Sequence, residues 1–144
     1  MASFSVFGFV SQLLLVAFFA AHLLRPADEK YLGRLVYGMG LVALLLGVAF
    51  ILQGQAWYLV LAFALYAAWS ALGAWVDIFR PTRWREPPRF SILVPYAVLL
   101  TVALLAFWVP LWWVDRLLWI TFAVLYVAHT ALNLLSHRAA RTTT

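Results

Sequence analysis

The chain has 144 residues, of which 67% are hydrophobic and 10% are charged. A soluble domain typically has about 25% charged and about half apolar residues, so this composition excludes a water-soluble globular domain. The net charge of +5 is not arranged as a basic stripe interleaved with stacking aromatic residues, which excludes nucleic-acid binding. Because the chain has no cysteine, disulfides, thiolate metal sites and cysteine nucleophiles are excluded as well.

Five long apolar runs follow one another along the chain. About 20 apolar residues in a helix cross a hydrocarbon layer roughly 30 Å thick, so each run is predicted to be a transmembrane helix. The second run ends at a predicted tight turn over Gln53, Gly54 and Gln55, and the fourth is predicted to stop at Pro110. The sequence therefore predicts an all-α integral membrane protein, a five-transmembrane-helix bundle that forms one domain over residues 1–144. The predicted spans are about 3–24, 35–53, 56–79, 91–109 and 112–136.

The basic residues predict the orientation of this bundle. Nine of the ten Lys and Arg residues lie in the segments 25–34 and 80–89 and in the C-terminal tail, always on the same predicted side. Arg116 lies on the other side. Cytoplasmic loops collect Lys and Arg, so the N-terminus is predicted to lie outside and the C-terminus in the cytoplasm. The short loops favour a bacterial inner (cytoplasmic) membrane as the location.

Small residues recur at helical spacing on the second and third spans. Helices in lipid associate through small side chains that allow the backbones to approach closely. The simplest interpretation is packing within one bundle, and an interface with a second copy or with another subunit is the alternative. The predicted helix-packing residues are Gly33, Gly40, Ala43, Gly47, Ala67, Ser70 and Ala74.

Polar side chains at the predicted inner half suggest a candidate binding pocket. His129, Asn133 and His137 follow one another at four-residue intervals, so they share one face of the fifth helix. Polar groups inside a membrane are costly and often functional. We therefore predict a pocket that opens to the cytoplasm and binds a ligand. Its predicted lining residues are His22, Tyr37, Asp77, His129, Asn133 and His137.

Each of these residues also has a purely structural interpretation. His22 and His137 are close to basic residues and fit the membrane boundary, and Asp77 is spaced to pair with Arg80 at the end of its helix. His129 and Asn133 fit hydrogen bonds between helices. The arginines of the basic loop fit contacts with phosphate or lipid headgroups, although orientation of the helices also explains them. These arginines are Arg80, Arg83, Arg85 and Arg89.

Three chemistries compete at the predicted pocket. A haem requires histidines at matching depth, and His22 and His129 are offset. Zinc could use the three histidines and Asp77, but the close ligand spacing of zinc sites is missing. His129 could act as a general base oriented by Asn133, although no nucleophile motif or phosphate-binding loop accompanies it. No catalytic residue and no metal ligand is predicted, and the sequence does not indicate whether the protein binds a cofactor.

These observations favour a non-catalytic polytopic membrane protein, either a subunit of a larger membrane assembly or a small homo-oligomer. The expected partners are the lipid bilayer and other membrane subunits or a second copy. The first alternative is a protein that binds an apolar or amphipathic small molecule, such as a lipid, quinone or haem, around His129. The second alternative is a membrane enzyme that acts on a lipid.

Overall fold

The computed structural model describes residues 1–79 and 89–142, with the side chains of residues 26–29 and 136–142 outside the description. The described residues form long helices. Within them, five helices are long and apolar enough to cross a membrane, which confirms the predicted all-helical fold and indicates a membrane protein. The helices are α1 (Ala2–Leu24), α2 (Pro26–Leu52), α3 (Trp57–Ala74), α4 (Phe90–Val114) and α5 (Arg116–Thr142), and a π-helical turn, Trp75–Phe79, continues α3.

The connection between α2 and α3 is a tight turn, as the sequence predicts. Gly54 has a φ of 63°, a left-handed conformation that costs glycine little because it has no Cβ. The N–H of Gly54 donates to the carbonyl of Ile51, and the N–H of Gln55 donates to that of Phe50, both at 3.0 Å. This pair of bonds is the Schellman motif, which satisfies the last carbonyls of a helix.

The connection between α4 and α5 differs from the prediction. α4 continues through Pro110 to Val114, so the predicted stop at Pro110 is wrong. A proline inside a transmembrane helix is tolerated where neighbouring groups compensate for the missing N–H. The helix ends instead at Val114. Asp115 follows it, and its Oδ1 accepts hydrogen bonds from the N–H groups of Leu117 at 2.6 Å and Leu118 at 3.2 Å. These bonds make Asp115 the N-cap of α5.

The chain divides into two compact units. The terminal unit consists of residues Met1–Val36 and Trp108–Thr144, and the central unit consists of residues Tyr37–Phe107. In the terminal unit α1 packs along α5, and the rings of Phe9 and Phe122 meet edge to face with centroids 5.6 Å apart.

Aromatic rings fill the core of the central unit. The rings of Phe50 and Phe63 are 5.1 Å apart, and those of Phe63 and Phe107 are 5.3 Å apart, both in edge-to-face geometry. Such pairs add about 0.5–1.5 kcal/mol beyond the burial of their surface. Packing of this kind carries particular weight in lipid, where burial of apolar surface contributes little to helix association.

Candidate functional site

Tyr37 on α2 is the centre of a polar cluster in the central unit. Its hydroxyl donates a hydrogen bond to Oδ2 of Asp77 at 2.5 Å and lies 3.2 Å from the hydroxyl oxygen of Tyr96 on α4. The side chain is 8% exposed, so these bonds satisfy a hydroxyl that would otherwise be costly to bury. We call Tyr37, Ser70, Gly73, Asp77 and Tyr96 the Tyr37 cluster.

Two small residues of α3 let Tyr37 fit. Ser70 Oγ donates to the main-chain carbonyl of Tyr37 at 2.5 Å, which joins α2 to α3. A Cβ at Gly73 would overlap the ring of Tyr37, and a Cβ at Gly40 would overlap the side chain of Ser70. The contact between α2 and α3 at this level therefore requires glycine on both helices.

A tryptophan packs beside the cluster. The ring of Trp69 lies 5.8 Å from that of Tyr37, 5.6 Å from that of Tyr96 and 5.3 Å from that of Tyr66. Trp69 is almost completely buried, and its Nε1 has no hydrogen-bond partner among the described residues. Trp69 therefore contacts the rings of Tyr37, Tyr96 and Tyr66 and links these three residues within the core of the central unit.

Asp77 lies within the π-helical turn Trp75–Phe79. A π-helical turn accommodates an extra residue in a helix and is frequent at functional sites. The turn changes the direction of the side chains that follow it. In this register the carboxylate of Asp77 meets the hydroxyl of Tyr37.

In the terminal unit His129 is held by rings. It is 4% exposed, and its imidazole stacks on Phe19 of α1 with centroids 6.3 Å apart and meets the ring of Tyr126 edge to face at 5.1 Å. Nδ1 of His129 has no hydrogen-bond partner among the described residues. The predicted hydrogen bond between helices is therefore not formed at this nitrogen.

Two further polar residues of the terminal unit are buried on α1. Gln12 is 0% exposed, and neither its Oε1 nor its Nε2 has a partner within residues 1–79 and 89–142. The hydroxyl of Ser11 is also buried and has no hydrogen-bond partner among the described residues. A buried polar group without a partner costs about 1–3 kcal/mol.

The corner between α4 and α5 is built from tryptophans. Nε1 of Trp108 donates to the carbonyl of Trp119 at 3.0 Å, and the two rings stack with centroids 4.8 Å apart. The guanidinium of Arg116 lies 4.9 Å from the centre of the Trp112 ring, in the geometry of a cation–π contact. These contacts hold the start of α5 against the end of α4.

The structure brings together two of the six predicted pocket residues, Tyr37 and Asp77, in the central unit. His22, His129 and Asn133 belong to the terminal unit, where His22 and Asn133 are partly buried and have partners of their own. The pocket as a whole therefore stays a prediction. His137, Arg80, Arg83 and Arg85 lie outside the described side chains, and Arg89 is exposed.

The predicted packing residues lie at several contacts. Gly40 faces Ser70, and a Cβ at Gly47 would lie 3.3 Å from Phe63. A Cβ at Gly33 would lie 3.3 Å from Phe18, within the terminal unit. The remaining three predicted residues are Ala43, which is fully buried, and Ala67 and Ala74, which are partly buried.

Three residues of these polar regions are not predicted as site residues from the sequence: Tyr96, Gly73 and Gln12. Tyr96 follows Arg89 by seven residues and Tyr37 follows Arg34 by three, so both lie within two helical turns of a basic residue at the start of a span. This shared position could have indicated Tyr96. Gly73 had no signal, because its role depends on the ring of a residue on another helix.

Among the described residues, no group of three His, Asp or Glu side chains is placed to hold a metal ion. No family model, curated protein or solved structure matches the chain. The fold and these contacts define the class: an all-helical protein with five membrane-length helices, which indicates a membrane protein.

Proposed function

We propose that the chain is a non-catalytic, multi-pass protein of a bacterial cytoplasmic membrane. It works as a subunit of a larger membrane assembly or as a small homo-oligomer. The N-terminus lies outside and the C-terminus in the cytoplasm, an orientation supported by the nine Lys and Arg residues on one predicted side and by the preference of cytoplasmic loops for such residues.

The hydrogen bonding within the Tyr37 cluster supports a non-catalytic role. Hydrogen bonds between polar groups of neighbouring helices help to hold transmembrane bundles together. The hydroxyls of Tyr37 and Ser70 donate such bonds within the cluster, to Asp77 and to the carbonyl of Tyr37. This use of the polar groups fits helix packing, and it is the observation on which the proposal rests.

The surface of α3 supports a partner. Gly40 and Gly47 of α2 contact the interior of the central unit, whereas Ala64, Ala68 and Ala71 of α3 are exposed. Small residues at three- and four-residue intervals allow the close approach of another helix. A second copy of this chain or another membrane subunit fits this surface.

Native mass spectrometry of the protein released gently from its own membrane tests the proposal. We expect the wild-type protein to form a stoichiometric complex with other polypeptides or with further copies of itself. Ala68→Phe should weaken this complex. Leu45→Phe is the matched control, since Leu45 is an exposed side chain of α2. A monomer without other polypeptides contradicts the proposal, and equal loss of the complex in both variants contradicts the role of α3.

A second candidate function is the binding of an amphipathic small molecule by the terminal unit. The unpartnered polar atoms of Gln12, Ser11 and His129 favour it, because a ligand that supplied hydrogen bonds would remove the cost of burying them. Extra mass on the native protein that disappears in Gln12→Leu or His129→Phe would support this function. Equal ligand mass on the wild type and both variants would contradict it.

A further inference from the structure

An apolar groove runs along the N-terminal half of α1 in the terminal unit. It has a volume of about 520 Å³, and its walls include Val6, Phe9, Val10 and Leu13 of α1 together with Val114 and Leu118 of the α4–α5 corner. This volume falls in the range of about 300–1,000 Å³ that is typical of small-molecule sites. From Ala2, which also lines it, to Leu13 the groove follows α1 for about 16 Å at the helical rise of about 1.5 Å per residue. Its shape and lining suit a hydrocarbon chain.

Two opposite charges lie beside this groove. Asp115 and Arg116 are exposed and occupy the chain between the groove residues Val114 and Leu118. They also lie where two membrane-length helices meet, which is the level of the lipid headgroups. The groove and the charged pair together have the layout of a lipid site, with the chain in the groove and the headgroup at the corner.

The groove and the charged pair contribute differently to the affinity for a lipid. A hydrocarbon chain that leaves the bilayer for the groove gains little, because lipid tails are as apolar as the groove itself. The preference for a particular lipid must therefore come from the headgroup. Arg116 is oriented by its contact with the ring of Trp112, and arginine binds phosphate through charge-assisted hydrogen bonds.

The charged pair also selects the kind of headgroup. Asp115 uses Oδ1 to cap α5, so its Oδ2 can accept a hydrogen bond from a lipid. A carboxylate repels an additional anion and accepts hydrogen bonds from a primary ammonium group, whereas a trimethylammonium group has no N–H to donate. We propose that the groove and the pair Asp115–Arg116 bind a zwitterionic phospholipid with a primary ammonium headgroup, its phosphate at Arg116 and its ammonium at Asp115.

The test compares three phospholipids that have the same acyl chains and ethanolamine, choline or glycerol headgroups. Each is titrated into the delipidated full-length protein, and the bound lipid is counted by native mass spectrometry. We expect the ethanolamine lipid to bind about tenfold more tightly than the other two, since a hydrogen bond to a charged group is worth about that factor or more. Arg116→Gln should weaken the binding of all three lipids about tenfold.

Asp115→Asn removes the negative charge of residue 115 and keeps its ability to cap α5, so it distinguishes the two roles of this side chain. Asparagine is as good an N-cap as aspartate, so this variant should keep the fold and lose the preference for ethanolamine over choline. Val10→Trp, which fills the groove, should weaken the binding of all three lipids, and Arg34→Gln is the control for an exposed arginine elsewhere. Arg89→Gln tests the competing headgroup contact that is predicted at the basic loop. If Val10→Trp does not fold, the two headgroup variants decide.

Unchanged binding in both Asp115→Asn and Arg116→Gln would overturn the proposal. So would a preference for the glycerol lipid that Arg89→Gln removes, because the headgroup would then bind near Arg89. The number of polypeptides in the complex is read from the same spectra. A failure of this inference is therefore distinguishable from a failure of the proposed assembly function.

Discussion

The hydroxyl of Tyr37 in the central unit is buried and bonded to Asp77, with the hydroxyl of Tyr96 also within reach. In the terminal unit the side chain of Gln12 is buried even more completely, yet neither of its polar atoms has a partner among the described residues. His129 and Ser11 of the same unit also have unpartnered polar atoms. The described part of the central unit also contains an unpartnered polar atom, because the indole Nε1 of Trp69 is buried and has no hydrogen-bond partner among the described residues.

This difference indicates where polar groups stabilise the fold and where they do not. A satisfied hydrogen bond between transmembrane helices is worth about 0.6 kcal/mol on average and up to about 1.7 kcal/mol. A buried polar group without a partner instead costs about 1–3 kcal/mol. Removing polar groups should therefore destabilise the protein at the Tyr37 cluster and have the opposite or no effect at Gln12.

The largest effect is expected for Gly73→Ala. The new Cβ would overlap the ring of Tyr37, and overpacking of this kind costs about 1–3 kcal/mol. Gly38→Ala is the matched control, because a Cβ at Gly38 meets nothing within 4 Å. Thermal unfolding in detergent should show a lower midpoint for Gly73→Ala alone. Equal midpoints for the two variants would contradict the close contact between α2 and α3.

Tyr37→Phe should have the next largest effect. It keeps the ring contact with Trp69 and removes the donor to Asp77, which we expect to lower the free energy of unfolding by about 1–2 kcal/mol. Tyr58→Phe, at an exposed position beside Trp57, should leave it unchanged. Chemical unfolding in mixed detergent measures both. A Tyr37→Phe protein as stable as the wild type would show that the cluster does not stabilise the fold.

A smaller effect is expected for Asp115→Ala. This change removes the acceptor for the N–H groups of Leu117 and Leu118, and loss of an N-cap costs about 0.5–2 kcal/mol. Asp115→Asn should restore the stability, because asparagine also caps helices. Unfolding midpoints of the two variants provide the measurement. If the asparagine variant is as unstable as the alanine variant, the charge of Asp115 matters more than the cap.

The helices were predictable because their signal is the length and hydrophobicity of each run. The turn at Gly54 was also predictable, because a glycine between two apolar runs is a signal that can be read from the local sequence. The end of α4 was not, because proline usually stops a helix in water and the competing signal, an aspartate that caps α5, is weaker in the sequence.

The candidate site was predictable only in part. Tyr37 and Asp77 were assigned to one group by their distance from basic residues, and the structure places their side chains in contact. Their actual contact depends on rotation about the helix axes. That rotation is altered by the π-helical turn at Trp75–Phe79, for which the sequence carries no recognised signal. The grouping of these two residues with His129 rests on depth alone and stays a prediction.

The most direct test of this account is the free energy of unfolding of Gln12→Leu, measured beside Tyr37→Phe under the same conditions. Leucine nearly conserves the volume of glutamine and removes two buried, unpartnered polar atoms. We expect Gln12→Leu to be as stable as the wild type or about 1 kcal/mol more stable, while Tyr37→Phe is less stable. A Gln12→Leu protein that loses as much stability as Tyr37→Phe would contradict the proposed difference between the two units.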